Sequence, residues 1–363
     1  MKKTPRLRVL QIGPDIEVRG GVSSVEKLIL SNVSDTIDIS HLPTTFDGNR
    51  VFKIISGVFS WIILPFRIIK NRPHVVHIHF ASRGSTWRKI PLSLISRIFR
   101  KPVILHSHGA EFREFYLNEC GRLRKIMIRR FLNKAKIIIA LSHSWKSFFV
   151  EHCGILEHKI VVLTNPVDTR RLIPPSQRSF EKEPLEIVTN GRLGRRKGTY
   201  ECIRAIDSLD HEIKRNIHYS LTGDGDKEEV KKLISSMNLE QIVEVHGWLS
   251  DEDLLKIRAK AHVFLLPSFN EGLPMALIEA MSLGLVPVVT PVGGIPEVVK
   301  HMENGIIVKP GDSDEISRSL EILFSNRNLL RELSIKARLT SEEFDVTKYI
   351  SKLEILYHDF MVS

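Results

Sequence analysis

The sequence predicts an α/β protein built from two parallel-sheet domains. Short Val- and Ile-rich runs alternate with stretches whose apolar residues recur every three or four positions, the order expected of strand–helix–strand units. The alternation stops in a Pro- and charge-rich stretch, 165–184, and then starts again. A chain of 363 residues also exceeds one ordinary hydrophobic core and suits two. With 42% hydrophobic and 26% charged residues the composition is that of a soluble globular protein.

In the first half, "LRVLQIG" (7–13) reads as a buried strand ending at a glycine, and "VSSVEKLIL" (22–30) as the helix after it. That opening run is too short for the apolar region of a signal peptide. "HVVHIHF" (74–80), "PVILHSH" (102–108) and "KIIIALS" (136–142) are further strands, apolar enough to be covered on both faces. The second half repeats the pattern with "LEIVTNG" (185–191), "HYSLTGDG" (218–225), "IVEVHGW" (242–248), "AHVFLLPS" (261–268) and "LVPVVT" (285–290). "FDVTKYISKLEILYHDF" (344–360) reads as one amphipathic helix. The predicted domains are 1–166 and 167–343, with 344–363 as a terminal helix packing back on the first. Parallel sheets bind ligands beyond the carboxyl ends of their strands, here expected in a cleft between two facing domains.

The net charge of +11 is unevenly placed. Residues 51–110 hold ten Lys or Arg and no Asp or Glu; extending to 135 gives seventeen basic against three acidic side chains. That window carries +14 and the remainder −3, which predicts a local binding face. "GRLRKIMIRRFLNKAK" (121–136) interleaves apolar and basic residues. With "VFKIISGVFSWIILPFRIIKNR" (51–72) it predicts contact with an anionic membrane surface through 51–135, apolar side down. A solvated helix face over the domain core is the other reading. The apolar run 54–66, thirteen residues between Lys53 and Arg67, is too short to span a bilayer. Trp61, Trp87 and the phenylalanines form no stacking module, so no specific nucleic-acid partner is expected. Cys120, Cys153 and Cys202 are odd in number and widely spaced, which fits a reducing compartment.

"SFNEGLPMALIEAM" (268–281) holds Glu271 and Glu279 with seven residues between them. Pro274 suits the first turn of a helix, and Gly272 permits close approach of a ligand to the backbone. The helix N-terminus would offer free N–H groups to an anion such as phosphate. Glu279 lies more than a turn further on and cannot easily share one reacting atom with Glu271. The spacing suggests two contacts along an extended ligand; a dipole-favoured charge plus a solvated helix glutamate is the alternative. "NGRLGRRKG" (190–198) follows a strand and precedes a helix, with Arg192 and Lys197 as candidate anion ligands. "RGGVSSVEKL" (19–28) places Gly20 and Gly21 between strand and helix. Asp224 and Asp226 in "GDGD" read as a tight turn. His74, His77, His79, His106 and His108 lack a nearby Cys or acidic cluster in sequence, so no metal is expected there.

Together, the Gly-Gly turn, "HSHGAEF", "NGRLGRRKG", "LTGDG", "PSFNEGLPMALIEAM" and "TPVGGIPEVV" resemble the nucleotide-sugar glycosyltransferases of family 4, along essentially the whole chain. The resemblance implies the two-domain GT-B fold and a retaining, metal-independent transferase of hexosyl or N-acetylhexosaminyl groups. It implies that Glu279 binds the donor ribose, that Glu271 and His108 reach the donor sugar, and that Arg192 and Lys197 bind the diphosphate. Gly20, Gly21, Gly272, Leu273 and Pro274 complete the implied donor site. Under this reading the donor is a nucleotide sugar, UDP-linked, acting as substrate with no separate cofactor. With the charge pattern, it points to a glycan or lipid-linked acceptor in bacterial surface-polysaccharide synthesis, on the cytoplasmic face of the membrane. A nucleotide-sugar epimerase of the same fold, or a non-enzymatic membrane or polyanion binder, are the rival readings.

Overall fold

The structure, a computed structural model, describes residues 6–172, 178–180 and 184–360. The chain divides into two compact units, Met1–Pro166 with Val346–Ser363, and Val167–Asp345.

The first unit runs β1 (Leu7–Gly13), α1 (Gly21–Asn32), β2 (Ile37–Pro43), α2 (Arg50–Asn71), β3 (Val75–Phe80), α3 (Gly84–Ile98), β4 (Val103–Ser107), α4 (Phe112–Glu114), α5 (Arg122–Asn133), β5 (Ile137–Ala140), α6 (His143–Cys153) and β6 (Ile160–Val162). Its sheet is parallel in the order β2-β1-β3-β4-β5-β6. The second unit runs β7 (Leu185–Asn190), α7 (Thr199–Ser208), α8 (His211–Lys214), β8 (Ile217–Thr222), α9 (Lys227–Ser236), β9 (Val243–Val245), α10 (Asp251–Lys260), β10 (Val263–Leu266), α11 (Met275–Ser282), β11 (Val286–Val289), α12 (Ile295–Val298), β12 (Ile306–Ile307), α13 (Ser313–Ser325) and α14 (Arg327–Ser341). Its parallel sheet has the order β12-β11-β10-β7-β8-β9. Helix α15 (Val346–His358) belongs to the first unit, against α1 and β1.

Strand order reverses between β1 and β3 and between β7 and β10. The turns after these strands therefore diverge and leave a crevice, where open α/β sheets bind ligands.

Three features differ from the sequence reading. Strands β2, β6 and β12 were not expected; all are short or lie at sheet edges, where weak apolar patterning gives little signal. The expected linker, 165–184, is partly seated on the second unit: the Arg178 guanidinium donates to the carbonyls of Ala259 and Leu283, at 3.0 and 2.9 Å. Residues 173–177 and 181–183 of that stretch lie outside the described residues. The thirteen-residue apolar run continues into the 22-residue helix α2, whose Val51–Asn71 segment is long and apolar enough to cross a membrane by length and composition. Its inner side, Ser56, Ser60, Leu64 and Ile68, is instead buried in the domain, and the Trp61 indole N–H donates to Arg88 O at 2.9 Å.

The two faces of the first sheet are chemically different. Leu10, Ile12, Val76, Ile78 and Leu105 join the hydrophobic core with Leu64, Ile68 and Leu92. Alternate positions turn Gln11, His77, His79 and His106 to the other face, all buried. Tyr357 of α15 bonds His77 Nδ1 at 2.7 Å, and Glu26 of α1 lies 3.8 Å from His79 Nδ1 and 3.6 Å from His41 Nε2. Gly13 leaves room for that carboxylate: a Cβ there would fall 1.4 Å from Glu26 Oε1. Burial pushes the Glu26 carboxyl above its ordinary range and the Lys89 ammonium down to about 7.

Burial likewise holds His77 at about 3 and His79 and His106 well below 6.5. Between about pH 6.5 and 3 the unfolded chain therefore binds protons that the native histidines do not. Stability should fall as pH drops through that window, by on the order of 1 kcal/mol per pH unit per histidine, with protonation of Glu26 opposing it. Thermal unfolding should show Tm decreasing from pH 7 to pH 5, and the decrease should be shallower in His106→Leu. A Tm that is flat over this range would refute the neutral, buried layer.

Candidate functional site

In the second unit, three turns at the carboxyl ends of the strands mesh backbone to backbone. The turn after β7 carries Arg192 and Lys197, and the turn after β10 carries Ser268–Pro274. Gly198 has φ +70, and a Cβ on it would meet Pro267 O at 2.3 Å. Gly293, at φ +59 in the turn after β11, would meet Glu271 O at 2.1 Å, and Gly294 N donates to Gly272 O at 2.6 Å. Only glycine fits at either position. The "GDGD" turn docks beside the first: Leu193 N donates to Asp224 O at 2.6 Å, and Asp226 N to Leu193 O at 3.2 Å. Asp226 takes a hydrogen bond from Tyr200 Oη at 3.2 Å.

This mesh brings Lys197 and Glu271 together. Lys197 Nζ donates to Glu271 Oε1 at 2.6 Å, Ser268 Oγ donates to the same oxygen at 2.8 Å, and both charged side chains are buried. Arg196 Nη1 stands 3.5 Å from Glu271 Oε1 and donates to Asn270 O at 3.1 Å. The sequence reading named Arg192 and passed over Arg196. Arg192 is exposed on the same turn, whereas the 3₁₀ turn Arg195–Lys197 aims Arg196 and Lys197 at the carboxylate. Three consecutive basic residues in a turn gave no sign of which would point inward.

Pro274 is the N-cap of α11, with extended backbone (φ −70, ψ 127), and the helix begins one residue later than expected, at Met275. Gly272, Leu273 and Pro274 form the buried approach to it. No side chain caps α11 and its first turn holds no acidic residue, so its first N–H groups are available to an anion. Glu279, partly exposed, pairs with the buried Arg258 of α10, with Nη1 to Oε2 at 2.9 Å. Arg258 is a further site residue missed in sequence, where it stands in an ordinary amphipathic helix. Each glutamate thus has its own cation, and the two do not form a proton-sharing dyad.

Gly20, Gly21 and His108 lie in the first unit. Gly20 is the N-cap of α1 at φ 149, with open space where a Cβ would be, and Gly21 opens the helix, which has no side-chain cap. Of His108 and its neighbours, only His108 is partly exposed; its Nε2 bonds His79 Nδ1 at 2.9 Å. Burial holds its ring down to about 3, so it is a neutral imidazole at pH 7. His79 is its positioning partner, placed by the strand register that sets His79 opposite His106.

The histidines are closer to a metal set than their sequence context implied. Ligand nitrogens of His77, His79 and His106 lie within 4.8 Å of one another, and an acidic side chain, Glu26, arrives from α1. The sequence reading saw no Cys or acidic cluster near these histidines; helix packing brings them one carboxylate, Glu26. The rings of His77 and His106 stack at 6° and 5.4 Å, and parallel rings do not direct their nitrogens at one point.

Two family models match consecutive parts of the chain: Glycosyltransferase Family 4 over residues 38–171 and Glycosyl transferases group 1 over 172–340. The chain is 29% identical over 275 residues to the putative colanic acid biosynthesis glycosyltransferase WcaL of Escherichia coli K12, a match covering 74% of this chain and 64% of that protein. It is 25% identical over 345 residues to the UDP-Gal:alpha-D-GlcNAc-diphosphoundecaprenol alpha-1,3-galactosyltransferase of Escherichia coli, covering 91% of this chain and 86% of the relative. Among solved structures, Anabaena HepE in complex with UDP and glucose superposes with TM-score 0.76 at 16% identity, covering 97% of this chain and 99% of that one. Sucrose-phosphate synthase from Thermosynechococcus elongatus superposes with TM-score 0.81 at 16% identity, covering 98% and 100%. With two parallel α/β units, Glu271 on a strand-end turn and Glu279 on the helix after it, and both family models in sequence, the chain belongs to the group 1/family 4 glycosyltransferases and has the GT-B fold.

Proposed function

We propose that the protein is a retaining, metal-independent glycosyltransferase that moves a hexosyl or N-acetylhexosaminyl group from a UDP-sugar to a glycan or lipid-linked acceptor in bacterial surface-polysaccharide synthesis. The observation that carries this reading is the ion-paired Lys197–Glu271 cluster beside the uncapped start of α11, with Glu279 one face further along the same helix. A diphosphate fits the free N–H groups and the Lys197 and Arg196 cations, with Arg192 at the rim. Glu279 then reaches a ribose and Glu271 the sugar. Names of relatives favour the same chemistry: one uses a UDP-galactose donor and a diphosphoundecaprenol-linked acceptor.

The unit Val167–Asp345 would bind the donor and the other unit the acceptor. Breaking the bond between sugar and diphosphate leaves negative charge on the departing phosphate. Lys197, Arg196 and the helix N–H groups are fixed in advance where that charge develops, so little reorganisation is required. Glu271 keeps Lys197 oriented before the donor arrives. Neutral His108 can exchange hydrogen bonds with a sugar hydroxyl through Nδ1 while His79 holds Nε2.

Calorimetry with UDP tests the ribose role. Glu279→Ala should raise Kd by roughly tenfold or more, the scale of a lost charge-assisted hydrogen bond; an unchanged Kd in the folded variant removes the assignment. Turnover of UDP-sugars, with an undecaprenol-diphosphate-linked sugar as acceptor, tests the phosphate role. Lys197→Ala should lower the rate by roughly 10², and near-normal turnover would sink the diphosphate reading. Turnover should also survive EDTA. Loss on chelation with recovery on adding manganese or magnesium would bring Asp224 and Asp226 back as ligands, and recovery by zinc alone would bring back the His77, His79 and His106 set.

A further inference from the structure

The outer side of α2 is apolar along its whole length. Val51, Ile55, Val58, Ile62, Phe66 and Ile69 recur at steps of three or four and are each 40–68% exposed, with Phe52 and Phe59 beside them. At 1.5 Å per residue the row is about 27 Å long. Single exposed apolar residues are ordinary, but an unbroken row of this size marks an interaction surface. Neighbouring helices of the same unit add exposed apolar side chains. Helix α3 packs on α2 and α5 packs on α3. They expose Leu94 with Ile98, and Leu123 with Met127, each pair one helical turn apart.

Cations border this apolar ground. Arg67, Lys70, Arg100, Arg124 and Arg130 are exposed and have no acidic partner within 4 Å among the described residues. Between the ends of α3 and α5, a pocket is lined by Arg97, Lys101, Lys134, Lys136 and Lys159. Of the three acidic groups in residues 111–119, Glu111 and Glu119 are engaged by Arg83, and Glu114 accepts from Asn118 Nδ2 at 2.8 Å.

We infer that this face of the first unit docks on an anionic lipid bilayer, with α2 lying in the interface plane, its outer row among the acyl chains and the surrounding cations on phosphate head groups. Charge complementarity selects this occupant. A second copy of the chain would set the same cations against one another, and a nucleic acid would leave the isoleucines and phenylalanines facing water. Because Ser56, Ser60, Leu64 and Ile68 are buried within the domain, α2 lies on the bilayer and does not thread it. Helices of this kind combine apolar burial with attraction to anionic lipid. The inference does not depend on the donor reading, since none of its residues belongs to the second unit.

The full chain should co-sediment with phosphatidylglycerol/phosphatidylcholine vesicles and far less with phosphatidylcholine alone. Phe59→Glu with Ile62→Glu, both exposed positions, should lower the vesicle partition at least about tenfold, as should Arg100, Arg124 and Arg130 changed to Glu. High salt should weaken binding without abolishing it, because the inserted side chains are not screened. Far-UV circular dichroism and thermal melts matching wild type, measured without nucleotide, confirm that the variants are folded and keep this test separate from the donor reading. Wild-type protein remaining in the supernatant at low salt overturns the inference. So does sedimentation that vanishes in high salt and is indifferent to the Phe59/Ile62 change, which is charge attraction only. A vesicle-independent dimer that the same change dissociates assigns the face to self-association and also overturns it.

Discussion

The buried ion pair between Lys197 and Glu271 fixes the rest of the second unit's site. The partners lie 74 positions apart in sequence and 2.6 Å apart in space. Two charges taken out of water are stable only when matched; removing one partner of such a pair costs about 3–5 kcal/mol. The turns after β7 and β10 are thereby tied to one another, and the backbone around them follows. Gly198 must lie against Pro267 O, Gly293 against the Glu271 carbonyl, and Gly223 against Gly191 O, where a Cβ would come within 1.9 Å. The glycines of these turns are thus the means by which two charged side chains reach burial together. Under the proposed function, a phosphate entering beside α11 would meet a cation whose position and burial are already settled by folding.

The first unit solves a different problem on each face of one sheet. One face is ordinary core. The other buries imidazoles, a carboxyl and an ammonium group, and keeps the imidazoles neutral by withholding water from them. Neutrality would suit the sugar contact proposed for His108, and the layer links Tyr357 and Glu26 to His77 and His79 and thence to His108. The terminal helix α15 is part of this layer, which gives the return of the chain to the first unit a role beyond covering β1.

Much of the fold was legible because parallel strands buried on both faces are rich in apolar residues, and the helices between them are striped. Nine strands could be placed from those patterns; β2, β6 and β12 could not, because edge or two-residue strands need little apolar sequence. The paired glutamates, Lys197 and the glycine turns were legible because their residue types are tied to backbone geometry and charge at short range. Arg196, Arg258, Glu26 and Lys89 were not. Each stands in a locally unremarkable turn or helix and acquires its surroundings from elements tens of residues away.

The sequence by itself determined the two-unit parallel architecture, the strand-end turns that carry the polar residues, and the concentration of positive charge between 51 and 135. These are properties of local period, backbone freedom and composition. Tertiary structure alone decided which of Arg192, Arg196 and Lys197 meets Glu271, which cation holds Glu279, that a carboxyl sits beside the histidines, and that one side of α2 is sealed in the domain while the other is bare. Those outcomes depend on how separate elements pack, and burial, which sets the energy of every charge and every apolar side chain here, exists only once they have packed.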